Sequence, residues 1–255
     1  GRKATRIVKR IVFFSFRDRL KRYKFKVYNQ LGHETIYSPY SILAIGMKEL
    51  ELKKGFPEHF RWVGPSGASV EAGEDYPLDL SPFMERKKVL MTCGTQLAWA
   101  KENLIYQATQ LAKAHPDCHF FVTRGVGGEA FQCENLMENL SVVSYLPYKE
   151  YIPKMDYVIH HGGAGIFYQC IIYGKPALIL PHDYDQFDYA VRGVEAGVAF
   201  TAKRDNSKAI GQAFEKLLAK ENWPELETLR QAAQSYHPTE ILENEIHRLL
   251  ANKEK

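Results

Sequence analysis

Residues 157–181 read YVIHHGGAGIFYQCIIYGKPALILP, and the fold follows from them. Tyr157-Val158-Ile159-His160 is a short apolar run of buried-strand type, and Ala177-Leu178-Ile179-Leu180 is a second. Between them, Ala164 to Tyr173 has the length and composition of a helix, and Gly174-Lys175-Pro176 ends it. A strand, a crossover helix and another strand make a parallel unit. The pattern extends in both directions. Upstream lie apolar runs at 89–93, 119–123 and 141–145, with Leu104, Ala108 and Leu111 on one face of a helix that His115-Pro116 stops. A short helix is predicted over 148–155. Downstream, a helix over 186–195 precedes a strand over 198–201, and helices near 207–221, 225–235 and 239–252 close the chain. The expected class is α/β, a doubly wound parallel sheet of Rossmann-like type covered on both faces.

The 255 residues are 45% hydrophobic and 25% charged, which excludes a disordered chain. No run approaches the ~18 apolar residues of a membrane span. Cys93, Cys118, Cys133 and Cys170 form no C-x-x-C pair, so neither zinc nor a disulfide framework is expected, and a reducing, cytoplasmic setting is the simplest. The net charge of +4 is unevenly placed, because residues 1–26 hold eleven Lys or Arg against Asp18 alone. The remaining residues therefore carry −6, which argues against nucleic acid as a partner. Ile7, Ile11 and Phe14 recur at helical spacing among those basic residues. Two readings stay open: peripheral contact of residues 2–26 with an anionic membrane, or a terminal helix docked on a neighbouring domain with its charges solvated. Gly1 in place of Met agrees with a fragment or a trimmed chain. Residues 31–88 are rich in turn signals such as Gly64-Pro65-Ser66-Gly67, with one short strand at Phe60-Arg61-Trp62-Val63.

Ligands of open α/β sheets bind outside the carboxyl ends of the strands, so the loops there carry the chemistry. In His160-His161-Gly162-Gly163-Ala164-Gly165, a strand end meets a helix start. Unpaired first-turn N–H groups and the helix dipole suit a phosphate, and an adjacent histidine can bond the same anion. A tight turn in which glycine serves packing alone is the equal alternative. In His182-Asp183-Tyr184-Asp185-Gln186, a vicinal carboxylate and carboxamide suit sugar hydroxyls, with helix capping by Asp185 as the alternative. Thr92-Cys93-Gly94-Thr95 can present N–H groups to a second phosphate. Gly125-Val126-Gly127-Gly128-Glu129-Ala130 fits a dinucleotide fingerprint, but the polar stretch Phe131 to Asn139 is too short for the long helix that fingerprint requires.

Taken in order, these segments resemble one family. They are Val63-Gly64-Pro65, VLMTCGT (89–95), Ser144-Tyr145-Leu146-Pro147, HHGGAG (160–165), GKPALILP (174–181), Asp185-Gln186 and AVRGVEAG (190–197). From about Val63 onward the chain is similar to the C-terminal, donor-binding half of a UDP-glycosyltransferase of the GT-B fold, of the bacterial macrolide and antibiotic type. The resemblance implies that His161, Gly163, Ala164 and Gly165 hold the donor diphosphate with help from Gly94 and Thr95. It further implies that Asp185 and Gln186 bind sugar hydroxyls, that Tyr145 stacks on the base and that the Leu146 backbone reads the base edge. Gln169 stands where many members use Glu on the ribose, Ile166 where Ser or Thr donates to phosphate, and Tyr189 where Asn is usual. An amide in place of the charged acceptor is expected to weaken ribose binding by roughly 1 kcal/mol.

The implied activity is inverting, metal-independent transfer of a sugar from a UDP- or dTDP-linked donor to a hydroxyl on a small-molecule or lipid acceptor, with no cofactor. Residues 1–60 would be the end of the acceptor domain and a linker, 61–238 the donor domain and 239–255 a C-terminal helix. None of the nine histidines matches the family's general base, which is expected in an N-terminal acceptor domain or a partner subunit. Two alternatives remain: a non-catalytic nucleotide-sugar-binding subunit or degenerate domain acting with a partner chain, and a nucleotide-sugar epimerase of the same architecture.

Overall fold

A computed structural model of the chain describes residues 11, 14, 16–24, 26, 37–52, 55–65, 78–125 and 131–251. The chain divides into two compact units, one comprising Gly1–Ala44, Gly55–Arg61 and Ile241–Lys255, the other Ile45–Lys54 and Trp62–Glu240. In the smaller unit, α1 (Arg17–Arg22) is the described core of the expected basic helix, with Ile11, Phe14 and Phe16 exposed around it. Residues 1–10 of that expected helix lie outside the described residues. The start of β1 (Ile42–Ile45) meets the segment before β2 (Phe60–Gly64) through the Ile42 amide, which donates to the His59 carbonyl at 2.9 Å. Glu245 is buried here between Arg248, at 2.6 Å, and Arg61, at 3.6 Å. The Arg248 guanidinium holds its carboxyl down to about 2.

The larger unit holds the α/β sheet. In chain order it runs β3 (Lys87–Thr92), α2 (Lys101–Ala114), β4 (Cys118–Thr123), β5 (Cys133–Met137) and β6 (Leu140–Val143). Then come α3 (Tyr148–Tyr151), β7 (Tyr157–His160), α4 (Ala164–Ile172), β8 (Ala177–Ile179), α5 (Gln186–Glu195) and β9 (Ala199–Thr201). The helices α6 (Ser207–Ala219), α7 (Pro224–Gln234) and α8 (Pro238–Ala251) follow, α8 running on into the smaller unit. Strand order is β5-β6-β4-β3-β7-β8-β9, parallel throughout except at β5. The stretch Phe131 to Asn139 is polar and forms no long helix, as expected, and it holds a strand the sequence reading did not assign. Cys133–Met137 pairs antiparallel with β6, and as an exposed edge strand it needs no apolar alternation to form.

The pleat sends alternate residues into two cores. Val89 and Met91 of β3 pack with Phe120, Val122, Ile159 and Leu178 beneath α2 and α6, whose Leu104, Ala108, Leu111 and Phe214 cover that face. Leu90 points the other way, with Phe121, Val143, Val158 and Ile179, beneath Phe167 and Ile171 of α4 and Leu226 and Leu229 of α7. Both faces covered by helices explain why the strands read as continuous apolar runs. Central β3 pairs with β4 on one side and β7 on the other, so the chain reverses its direction of travel across the sheet there. The carboxyl ends of β3 and β7, from which two of the candidate loops leave, therefore lie side by side at that reversal, the place where open α/β sheets take their ligands.

Candidate functional site

The site is built from the end of β7. His160 is 1% exposed, and its Nδ1 accepts a hydrogen bond from the Gly162 amide at 3.0 Å. That bond places the imidazole proton on Nε2, and burial pulls the ring's pKa down to about 3. His160 thus latches the turn. Gly162 is required there, because its φ is +91° and a Cβ would stand 2.9 Å from the Gln186 carbonyl oxygen.

His161 is seated between two other glycines. A Cβ on Gly163 would lie 2.5 Å from its Nε2, and one on Gly94 would lie 3.0 Å from its Cε1. The loops leaving β7 and β3 thus meet around one imidazole at the point where the sheet reverses. Burial pulls the pKa of His161 down to about 4, helped by neighbouring His182 and opposed by the Thr92 backbone and Asp185. At neutral pH the ring is uncharged. Beside it, Gly163 caps α4 in an extended conformation with no side-chain cap, so the first-turn N–H groups at Ala164 and Gly165 keep their outward polarity. A Cβ on Gly165 would meet nothing within 4 Å, so the turn is open on that side.

The β3 loop is braced from below. Thr92 Oγ1 accepts from the Gly94 amide at 3.0 Å and lies 2.8 Å from the Tyr148 hydroxyl and 3.3 Å from Thr123 Oγ1. The Gly94 N–H is therefore engaged within the loop, while Thr95 is exposed at its tip. The β8 loop is folded on its own glutamine. Gln186 Oε1 accepts from the His182 and Asp183 amides at 2.9 and 3.1 Å, so its carbonyl shapes the loop. Asp185 heads α5 with its carboxylate exposed and makes no capping bond. Between Asp183 and Asp185, Tyr184 holds a φ of +50° and is 83% exposed. A non-glycine residue in that region is a strained conformation of the sort found at ligand-binding sites.

The remaining expected residues are more dispersed. Tyr145 is half-buried and Leu146 fully buried just past β6, so the Leu146 side chain belongs to the core. Gln169 and Ile166 are both buried on α4, Ile166 within the apolar core. Residues 126–130 of the fingerprint-like loop lie outside the described residues, and the element after them is β5, not a helix. A Cβ on Gly125 would be driven onto the Gly94 carbonyl oxygen, so that glycine serves loop packing.

Sequence reasoning missed the second layer. His182 donates from Nδ1 to the Leu180 carbonyl at 2.6 Å, leaving Nε2 to the Cys93 thiol at 3.8 Å. Arg204 donates to the His182 carbonyl at 2.6 Å and lies 5.0 Å above the Trp99 ring. These residues come from three different loops, and no motif in the sequence joins them.

Residues 127–247 match the family model of the erythromycin biosynthesis protein CIII-like C-terminal domain. The chain is 23% identical over 172 residues to an uncharacterized UDP-glucosyltransferase, YdhE, of Bacillus subtilis, covering 66% of this chain and 42% of that protein. It is 26% identical over 163 residues to a 3-alpha-mycarosylerythronolide B desosaminyl transferase of Saccharopolyspora erythraea, covering 62% and 37%. The crystal structure of glycosyltransferase VinC in complex with DTDP superposes with a TM-score of 0.67 at 18% identity, over 83% of this chain and 52% of that one. That likeness establishes the fold. The chain spans less than half the length of the two relatives.

Proposed function

We propose that this chain, which has the C-terminal half of the UDP-glycosyltransferase architecture of the macrolide type, binds the nucleoside diphosphate of a sugar donor at the first turn of α4. The observation that carries this is the His161 ring, held between Gly94 and Gly163 beside the uncapped, open helix start. A half-buried neutral imidazole and a row of N–H groups suit an oxyanion. The reaction is attack of an acceptor hydroxyl on the anomeric carbon with inversion, as the nucleoside diphosphate leaves. Negative charge grows on that leaving group, where His161 and the α4 amides stand already oriented. Asp185 and the Gln186 Nε2 hold sugar hydroxyls, Tyr145 stacks on the base, the Leu146 backbone reads its edge, and Gln169 faces the ribose. The general base belongs to an N-terminal acceptor domain or a partner subunit, and transfer requires no metal.

Calorimetry with UDP and with dTDP tests the binding step. His161→Ala is expected to weaken the better ligand by roughly 10- to 150-fold, the range for a hydrogen bond to a charged group. No affinity for either nucleotide, or equal affinity in the variant, contradicts the reading. Once the acceptor half is supplied, turnover is expected to survive excess chelator and to give the inverted anomer.

A second reading has its own support. Ile166 is buried in the core and offers no donor to phosphate, as suits a nucleotide-sugar-binding subunit that acts only with a partner. Transfer by the chain alone would dismiss it.

For a lipid acceptor the exposed Ile11, Phe14 and Phe16, set among basic residues, would carry the chain to an anionic membrane surface. Cosedimentation with phosphatidylserine vesicles, lost when Phe14 and Phe16 become serine, is the expected result. Equal pelleting of wild type and variant would refute the contact.

A further inference from the structure

We propose that Arg204, lying over Trp99 at the rim of the β8 loop, and Lys101, two residues beyond that indole, form an anion subsite that selects a transferred sugar bearing a carboxylate, a hexuronic acid. This rests on the donor reading above and names the sugar class for it. Arg204 is half-buried and uses one N–H, to the His182 carbonyl at 2.6 Å, out of the five donors a guanidinium carries. Its own carbonyl is pinned by Asn103 Nδ2 at 3.1 Å, and its guanidinium carbon sits 5.0 Å from the Trp99 ring centroid. Trp99 in turn lies 5.6 Å from the His182 ring and is 60% exposed. The cation is thus held in place by a carbonyl, an amide and an indole.

What it lacks is an acid. Among the described residues Arg204 makes no ion pair: Asp205 pairs with Lys203 at 3.6 Å, and Asp183 accepts from the Tyr184 amide. Lys101, at the start of α2 two residues beyond Trp99, also makes no ion pair among the described residues. Both cations are near enough to the Cys93 thiol to offset part of the upward pull of burial on it. A fixed guanidinium with most of its donors unused, and a lysine near it, both without a counter-ion among the described residues, match a carboxylate in charge and shape. The loop to which Arg204 is bonded carries Asp185 and Gln186, so the anion it meets belongs to the sugar held there.

Calorimetry on the 255-residue chain with UDP, UDP-glucose and UDP-glucuronate tests this, using the dTDP-linked sugars if dTDP is the tighter nucleotide. UDP-glucuronate is expected to bind at least about tenfold tighter than UDP-glucose. Arg204→Gln should erase that preference, while Arg204→Lys should keep part of it. Lys101→Gln, which leaves the His182 carbonyl bonded, should reduce it as well. No preference in the wild type, or a preference that survives both neutral variants, overturns the subsite. Failure of both UDP and dTDP to bind defeats the donor reading, whereas UDP binding without a carboxylate preference defeats only the subsite.

Discussion

Gly163→Ala is expected to cost nucleoside diphosphate affinity as much as His161→Ala, roughly 10- to 150-fold, while thermal stability stays within about 0.5 kcal/mol. The two halves of that result have separate causes. Gly163 has φ −64° and ψ 146°, a conformation alanine adopts freely, so the backbone is not strained. The new methyl would meet His161 Nε2 at 2.5 Å, and the imidazole is the free end of a side chain that can swing away. The ring moves and the donor is lost. Combining the two substitutions should add almost nothing, since both remove one hydrogen bond. Gly162→Ala should behave oppositely. Its Cβ would press on the Gln186 carbonyl with φ at +91°, so stability falls first. Calorimetry with UDP beside thermal melts of the three variants separates these effects. Full affinity in Gly163→Ala would show that the imidazole does not touch the ligand.

The second large effect is acid lability. His119 and His160 are each 1% exposed and are held to about 4 and about 3 by burial. In the unfolded chain both titrate near 6.5, so below that pH the unfolded state binds more protons than the folded one. Their contribution is complete above about pH 7 and is lost as pH falls from 6.5 toward 4. Each removes up to about 1.4 kcal/mol per pH unit over that span. Glu227 and Glu245, held to about 2 by Arg230 and Arg248, add their loss only below the usual carboxylate range. The interval from pH 6.5 to 5 therefore isolates the histidines. Urea midpoints should drop steadily across it, and His119→Gln, which can keep the bond to Ser141 but cannot titrate, should flatten the slope. A midpoint constant from pH 7 to 5 would mean that these rings take up protons in the folded protein as readily as in the unfolded chain.

How much of this was legible in the residues depended on burial. The strands β3, β4, β7 and β8 are covered on both faces and announced themselves as apolar runs, and α5 was readable at both ends. Two strands were not. β5 has four of its five residues exposed, and β1 alternates half-buried with exposed positions over four residues, so neither carries a strong pattern. Within the site, the loops that matter were identifiable from their position after strands, but the work done by each glycine was not. Glycines read as room for a ligand turn out at positions 94 and 163 to make room for an imidazole, and at 162 for a carbonyl. Gln186 shows the same limit, because its partners are amides within its own loop. Trp99 and Arg204 stand 105 positions apart and meet only once α2 and the β9 loop are folded.

A crystal structure of the chain with UDP or dTDP bound is the most direct test of where the donor sits. The diphosphate is expected within hydrogen-bond distance of the His161 ring and of the amides at Ala164 and Gly165. A diphosphate bound elsewhere, with His161 still packed against Gly94 and no ligand atom beside the start of α4, would contradict that placement.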